Sequence, residues 1–193
     1  MRVTCPLPTT LIAASARSTT GISPTRKPQA EEQQVSKPPK EHPYGCRIEW
    51  TGDRGEGTLR YRGYDRTWDV TTPGKPVVHC SNDPLLGGDP ALHNPEDLLI
   101  ASLSACHMLW YLHLASNAGI VVHGYRDEPE AIGETTADGA GRFLRATLRP
   151  SIRVAAGADL ARADAIHLEV HKYCFIARSV NFPVSYAATY SEA

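Results

Sequence analysis

Residues 95–118 constrain this chain more than any other stretch, because they read as one helix of about 24 residues with apolar side chains on nearly every face. Leu98, Ile100, Leu103, Met108, Trp110 and Leu114 leave no wholly polar side, whereas a surface helix shows a single stripe. The ends are marked as well. Asn94 can cap the first turn, Pro95 suits the first helical position, Glu96 and Asp97 favour the positive end of the dipole, and Gly119 supplies a left-handed stop. Such a helix has to be covered on all sides, so the expected fold is built around it. Ser102, Ser104, His107 and His113 interrupt the apolar run, and no 18 consecutive apolar residues occur, so no membrane span is expected.

Short β-type segments flank this helix. Residues 44–51, 57–64 and 67–70 are rich in Tyr, Trp, Thr, Ile and Val and are separated by Gly, Asp and Pro clusters, which predicts an antiparallel meander. After the helix, strands are expected over 120–126, 130–135 and 141–154, with Pro150 breaking or bulging the last of them. A second helix is expected over 159–173, with Leu160, Ala163, Ile166, Val170 and Tyr173 on one face, and 183–190 reads as a closing strand. Strands and helices do not alternate regularly, so the class is α+β, with antiparallel sheets around a long buried helix.

Residues 1–40 differ in kind. They carry 6 of the 15 prolines, no aromatic residue and a net charge of +4 against −5 for the rest, and no acidic residue precedes Glu31. They read as a flexible or targeting tail ahead of a domain over 41–193. The chain is expected to be cytoplasmic, or mitochondrial or in another organelle if the tail is a transit peptide. Balanced charge, −1 overall, argues against a nucleic-acid partner.

Five cysteines at irregular spacing, without CxxC, fit neither a disulfide scaffold nor a zinc ribbon. Cys106 lies within the long helix and Cys174 at the end of the second. Each reads either as a packed core thiol or as a reactive one. As a pair on separate elements they suit a peroxidatic and a resolving thiol: one sulfur is oxidised to a sulfenic acid, which the other condenses with. Activation of Cys106 calls for a cation from elsewhere, and Arg54, in the turn TGDRGEG, is the candidate, with Glu96 able to hold its guanidinium. An exposed turn arginine and a helix-dipole carboxylate are the alternatives for these two. A second reading is a metal-binding protein. His167, His171 and Cys174 fall at i, i+4 and i+7 on one helical face. Cys5, Cys46 and Cys80 have no context that assigns them a role.

With NPEDLLIASLSACHMLWYLHLASNAGI, YRDE, GRFLRATLRP and HKYCFIARSVNFPV in place, residues 42–190 resemble the OsmC/Ohr family of thiol-dependent peroxidases. The specific combination is NPE-x-LL, a Cys ten residues after the Glu, and a second Cys 68 residues later. The resemblance implies an intertwined α+β homodimer with active sites at the interface, reduction of organic hydroperoxides, no cofactor, and an external dithiol reductant, such as a lipoylated protein. It matches Cys106 to the peroxidatic cysteine, Cys174 to the resolving cysteine, Glu96 to the NPE glutamate and Arg54 to the arginine of the first hairpin turn. Phe175 stands where the family often has proline, and His107 where many members have an aromatic residue. The apolar side chains Leu103, Leu109, Trp110, Phe175 and Phe182 suit the lining of an alkyl or lipid pocket, and core packing accounts for them equally well.

Overall fold

The computed structural model describes residues 40–193, with a compact unit over Pro43–Ala193. The reading of residues 1–39 as a tail, and Cys5 with it, lies outside the described residues. The long helix, α1, spans Pro95–Asn117 and begins as its sequence dictates. Asn94 Oδ1 accepts from Asp97 N at 2.7 Å while Asp97 Oδ2 accepts from Asn94 N at 3.3 Å, a reciprocal capping box. Gly119 follows at φ 74°, the left-handed conformation that ends the helix without a Cβ penalty.

Among the described residues three sheets of three strands form, in the orders β1-β2-β3, β4-β7-β9 and β5-β6-β8. The first comprises β1 (Arg47–Trp50), β2 (Trp68–Thr71) and β3 (Val78–Cys80), all antiparallel. The others use β4 (Val122–Asp127), β5 (Glu130–Thr135), β6 (Gly141–Leu148), β7 (Pro150–Val154), β8 (Val184–Tyr186) and β9 (Thr189–Glu192). Here β8 joins β6 and β9 joins β7 in parallel, so these sheets are mixed rather than purely antiparallel. Helix α2 spans Leu160–Val170.

Several expectations need correction. Residues 57–64 form turns and bends instead of a strand. Four arginines and three acids between residues 53 and 66 favour local ion pairs over a ladder, and Glu56 pairs with Arg60 across one such turn. The segment 141–154 divides at Arg149, whose N–H turns to Asp127 Oδ1 at 2.6 Å instead of joining a ladder. The closing segment divides in the same way into β8 and β9. Helix α2 stops at Val170, short of Tyr173, because the chain tightens into turns there, with Lys172 N donating to Glu169 O at 3.0 Å and Tyr173 N to Val170 O at 2.9 Å, each three residues back.

The core has two parts, and α1 bridges them. Its C-terminal half contributes Tyr111 and Ala115 to a cluster with Ile152 and Val154 of β7 and Ala163, Ile166 and Val170 of α2. Its N-terminal half contributes Leu103 to a cluster with Ala146 and Leu148 of β6. Within one chain, however, α1 buries only Leu103, His107, Tyr111 and Ala115, a single stripe at a spacing of four, and Leu109 remains 63% exposed. The expected all-round burial is therefore not achieved inside one subunit. By length and apolar content alone α1 would suit a membrane span, yet His107 lies on its buried stripe and the helix packs on α2 and β4.

Candidate active site

The two candidate cysteines come together in the core cluster formed by the C-terminal half of α1, β7 and α2. Cys106, half-buried on α1, packs on the cluster that contains Cys174. Cys174 is fully buried just beyond α2, with its sulfur accepting from Ala177 N at 3.4 Å, and Cys106 is near enough to influence its ionisation. Burial pushes the Cys174 thiol up to about 11, and the neighbouring Cys106 adds to the shift. One sulfur is thus reachable, the other protonated and sheltered behind it.

Aromatic rings frame the pair. Trp110, one turn along α1 from Cys106, stacks on Tyr173 with ring centroids 5.0 Å apart, and Phe175 packs against Tyr44 at 5.9 Å. Of the five apolar residues expected around the site, Trp110, Leu109 and Phe175 lie near these sulfurs in the chain. Leu103 and Phe182 belong to the other core cluster, where Phe182 packs on Phe143 at 5.4 Å.

Arg54 and Glu96 are not brought to the thiols within one chain. Arg54 is exposed and gives both Nε, at 2.9 Å, and Nη2 to the carboxylate of Asp65, which is held below the usual carboxylate range by that hydrogen bonding. Neither Asp53 nor Glu56 holds this guanidinium. Asp53 Oδ1 accepts from Gly55 N and Gly57 N instead. The loop can close this tightly because position 52 is glycine: a Cβ there would lie 1.9 Å from the Asp65 carbonyl oxygen. Glu96 sits on the first turn of α1, about 15 Å along the axis from Cys106 at 1.5 Å per residue. It lines an open cleft of about 760 Å³ with Asp97, Ser104, Met108, Asp127 and Phe143, and neither cysteine borders it.

The metal alternative finds no site. His167 is fully buried, His171 is exposed, and no group of three potential ligands converges among the described residues. What His167 does instead was not anticipated. Its Nδ1 lies 2.7 Å from His107 Nε2, and its ring is stacked between Tyr111 at 4.4 Å and Tyr186 at 4.5 Å. A sequence signal existed, since both histidines fall on the buried stripes of their helices. Cys80 is likewise a core thiol, buried and directed at Val78 O, with its pKa raised by burial.

Comparison with known proteins adds the family. The model for "OsmC-like protein" matches residues 88–187. No curated protein matches the chain. Among solved structures, an OsmC-like protein of unknown function from Vibrio cholerae is 24% identical, with a TM-score of 0.70 over 77% of this chain and 100% of that one. An organic hydroperoxide resistance protein from Legionella pneumophila is 20% identical, with a TM-score of 0.56 over 78% of this chain and 99% of that one. Another, from Bacillus subtilis, is 17% identical, with a TM-score of 0.53 over 76% and 98%. At these identities the neighbours establish the shared fold.

Proposed function

The chain belongs to the OsmC-like protein family, and from that premise we propose that it is a thiol-dependent peroxidase that reduces organic hydroperoxides to alcohols. The observation that carries the reading is the pair of neighbouring cysteines in one core cluster, half-buried Cys106 and fully buried Cys174, on different elements. The Cys106 thiolate attacks the distal peroxide oxygen and the O–O bond breaks. The alkoxide takes a proton and leaves as alcohol, and Cys106 becomes a sulfenic acid. Condensation with the Cys174 thiol forms a disulfide and releases water. A dithiol of the lipoyl type then reduces the disulfide and is itself oxidised.

In this reading Arg54 stabilises the thiolate and Glu96 orients the guanidinium. Arg54 is committed to Asp65 within its own chain and Glu96 lies about 15 Å along α1 from Cys106, so both act where a second copy of the chain completes the site. The uncovered apolar side of α1 supports such a homodimer.

Cumene hydroperoxide is expected to be consumed with dihydrolipoamide as reductant. Cys106→Ser should abolish turnover, and Cys174→Ser should accumulate the sulfenic acid without a disulfide, as read by mass spectrometry. Full turnover by Cys106→Ser overturns the reading.

A further inference from the structure

His107 immediately follows one sulfur, His167 precedes the other by seven residues, and the two rings are joined across the α1–α2 seam at 2.7 Å. Both are buried, at 3% and 0% exposure. Two imidazoles in such contact share one proton, with one nitrogen donating and the other accepting. His167 Nε2 is buried with no hydrogen-bond partner. An orphaned lone pair is tolerated more readily than an orphaned N–H, which assigns the shared proton to His167 Nδ1 and the acceptor role to His107 Nε2. Each nitrogen that acid could protonate is then either used by the pair or walled in. Protonating His107 Nε2 removes the acceptor, and protonating His167 Nε2 creates a cation facing no acceptor.

The surroundings offer such a cation little. His107 is faced by His167 from α2, His171 just past its end, Asp127 from β4 and Tyr186 from β8. His167 is faced by His107 and Tyr111 from α1 and by Tyr186. His171 repels a proton on His107. Asp127, the one of these groups that would attract it, already accepts from Ser104 Oγ at 2.5 Å and Arg149 N at 2.6 Å. Burial accordingly depresses both imidazoles, to about 4 and about 3.

We propose that the His107–His167 hydrogen bond is a neutral clasp that holds α1 against α2 and keeps the Cys174 sulfur packed behind Cys106, and that acid opens it. Both histidines are positioning residues: they touch neither peroxide nor sulfur, and act through the seam on which both cysteines are mounted. The inference rests on the Cys106–Cys174 reading for its consequence, which is that acid disturbs resolution by a route separate from protonation of the attacking thiolate.

The test is labelling of Cys174 in the full-length Cys106→Ser protein by 4,4′-dithiodipyridine, which remains reactive in acid, with the labelled peptide identified by mass spectrometry. Between about pH 7.5 and about pH 4.5 the thiolate fraction falls, so an unchanged site labels more slowly in acid. The clasp predicts the opposite, labelling faster by on the order of tenfold while circular dichroism still reports a folded chain. The variant His107→Gln/His167→Gln, which cannot titrate, should lose that acceleration. Should it not fold, histidine NMR of the unmutated chain decides: both rings are expected to stay neutral down to about pH 5. Slower labelling in acid, acceleration only with global unfolding, or two histidines titrating near their ordinary value would each overturn the proposal. No turnover is measured, so an inactive enzyme and an absent clasp give distinguishable results.

Discussion

His107 and His167 also set how the folded state responds to acid. In the unfolded chain each imidazole titrates near 6.5, while in the folded chain burial lowers them to about 4 and about 3. A base depressed by folding contributes stability that is complete above the unfolded value and is lost as pH falls through the window toward the folded values, because the unfolded chain then binds protons that the folded one does not. Urea unfolding midpoints are therefore expected to be insensitive to this pair above about pH 6.5 and to fall steadily toward about pH 4, with a shallower fall in His167→Gln. A midpoint that rises on acidification would contradict the neutral buried pair. Cys174 follows the same physics with the opposite sign: burial disfavours its anion and keeps it a thiol at neutral pH.

At the scale of elements, the α1–α2 seam is the mechanical link between the sulfurs. Ile166 and Val170 of α2 are fully buried against Tyr111 and Ala115 of α1, in the same cluster as Cys174. Ile166→Ala is expected to cost about 2–5 kcal/mol, the transfer free energy of the lost methyl groups plus the cavity left behind. Denaturant titration measures it. A loss below about 1 kcal/mol would mean that the seam relaxes around the gap and does not hold the two thiols at a set spacing. The kink between β6 and β7 matters for the same reason. It lets one continuous chain face both halves of α1, with β7 in the cluster that holds the cysteines and β6 in the other.

For the whole molecule, the single buried stripe on α1 leaves Leu109 63% exposed and Phe175 60% exposed beside the thiols, with Ile48 58% exposed on β1. Apolar area of this kind, spread over a central helix and a sheet, is what a subunit interface covers. Sedimentation is expected to give twice the monomer mass, and Leu109→Lys is expected to shift the equilibrium toward monomer and lower peroxidase activity together. A monomeric chain with full activity would remove the role given to a second copy.

Much of this is legible in the sequence. The Asn94 cap, the Pro95 start and the Gly119 stop delimit α1 because capping is local chemistry, settled within a few residues. The limits of β5 coincide with the expected segment for the same reason. The two cysteines stood out through their family setting, and α1's apolar composition pointed to a buried helix. The partners across distance were not legible. His107 and His167 are 60 residues apart, and Arg54 chose Asp65 over the nearer Asp53 and Glu56. Residues 57–64 carried strand-forming side chains yet became turns. Local preference is a weak bias of a few tenths of a kcal/mol per residue, and the contacts that override it form only when distant segments meet. The sequence alone thus determined the helix, its ends and the sulfurs it carries; which side chains face those sulfurs, and which helix faces stay open, was decided by tertiary packing.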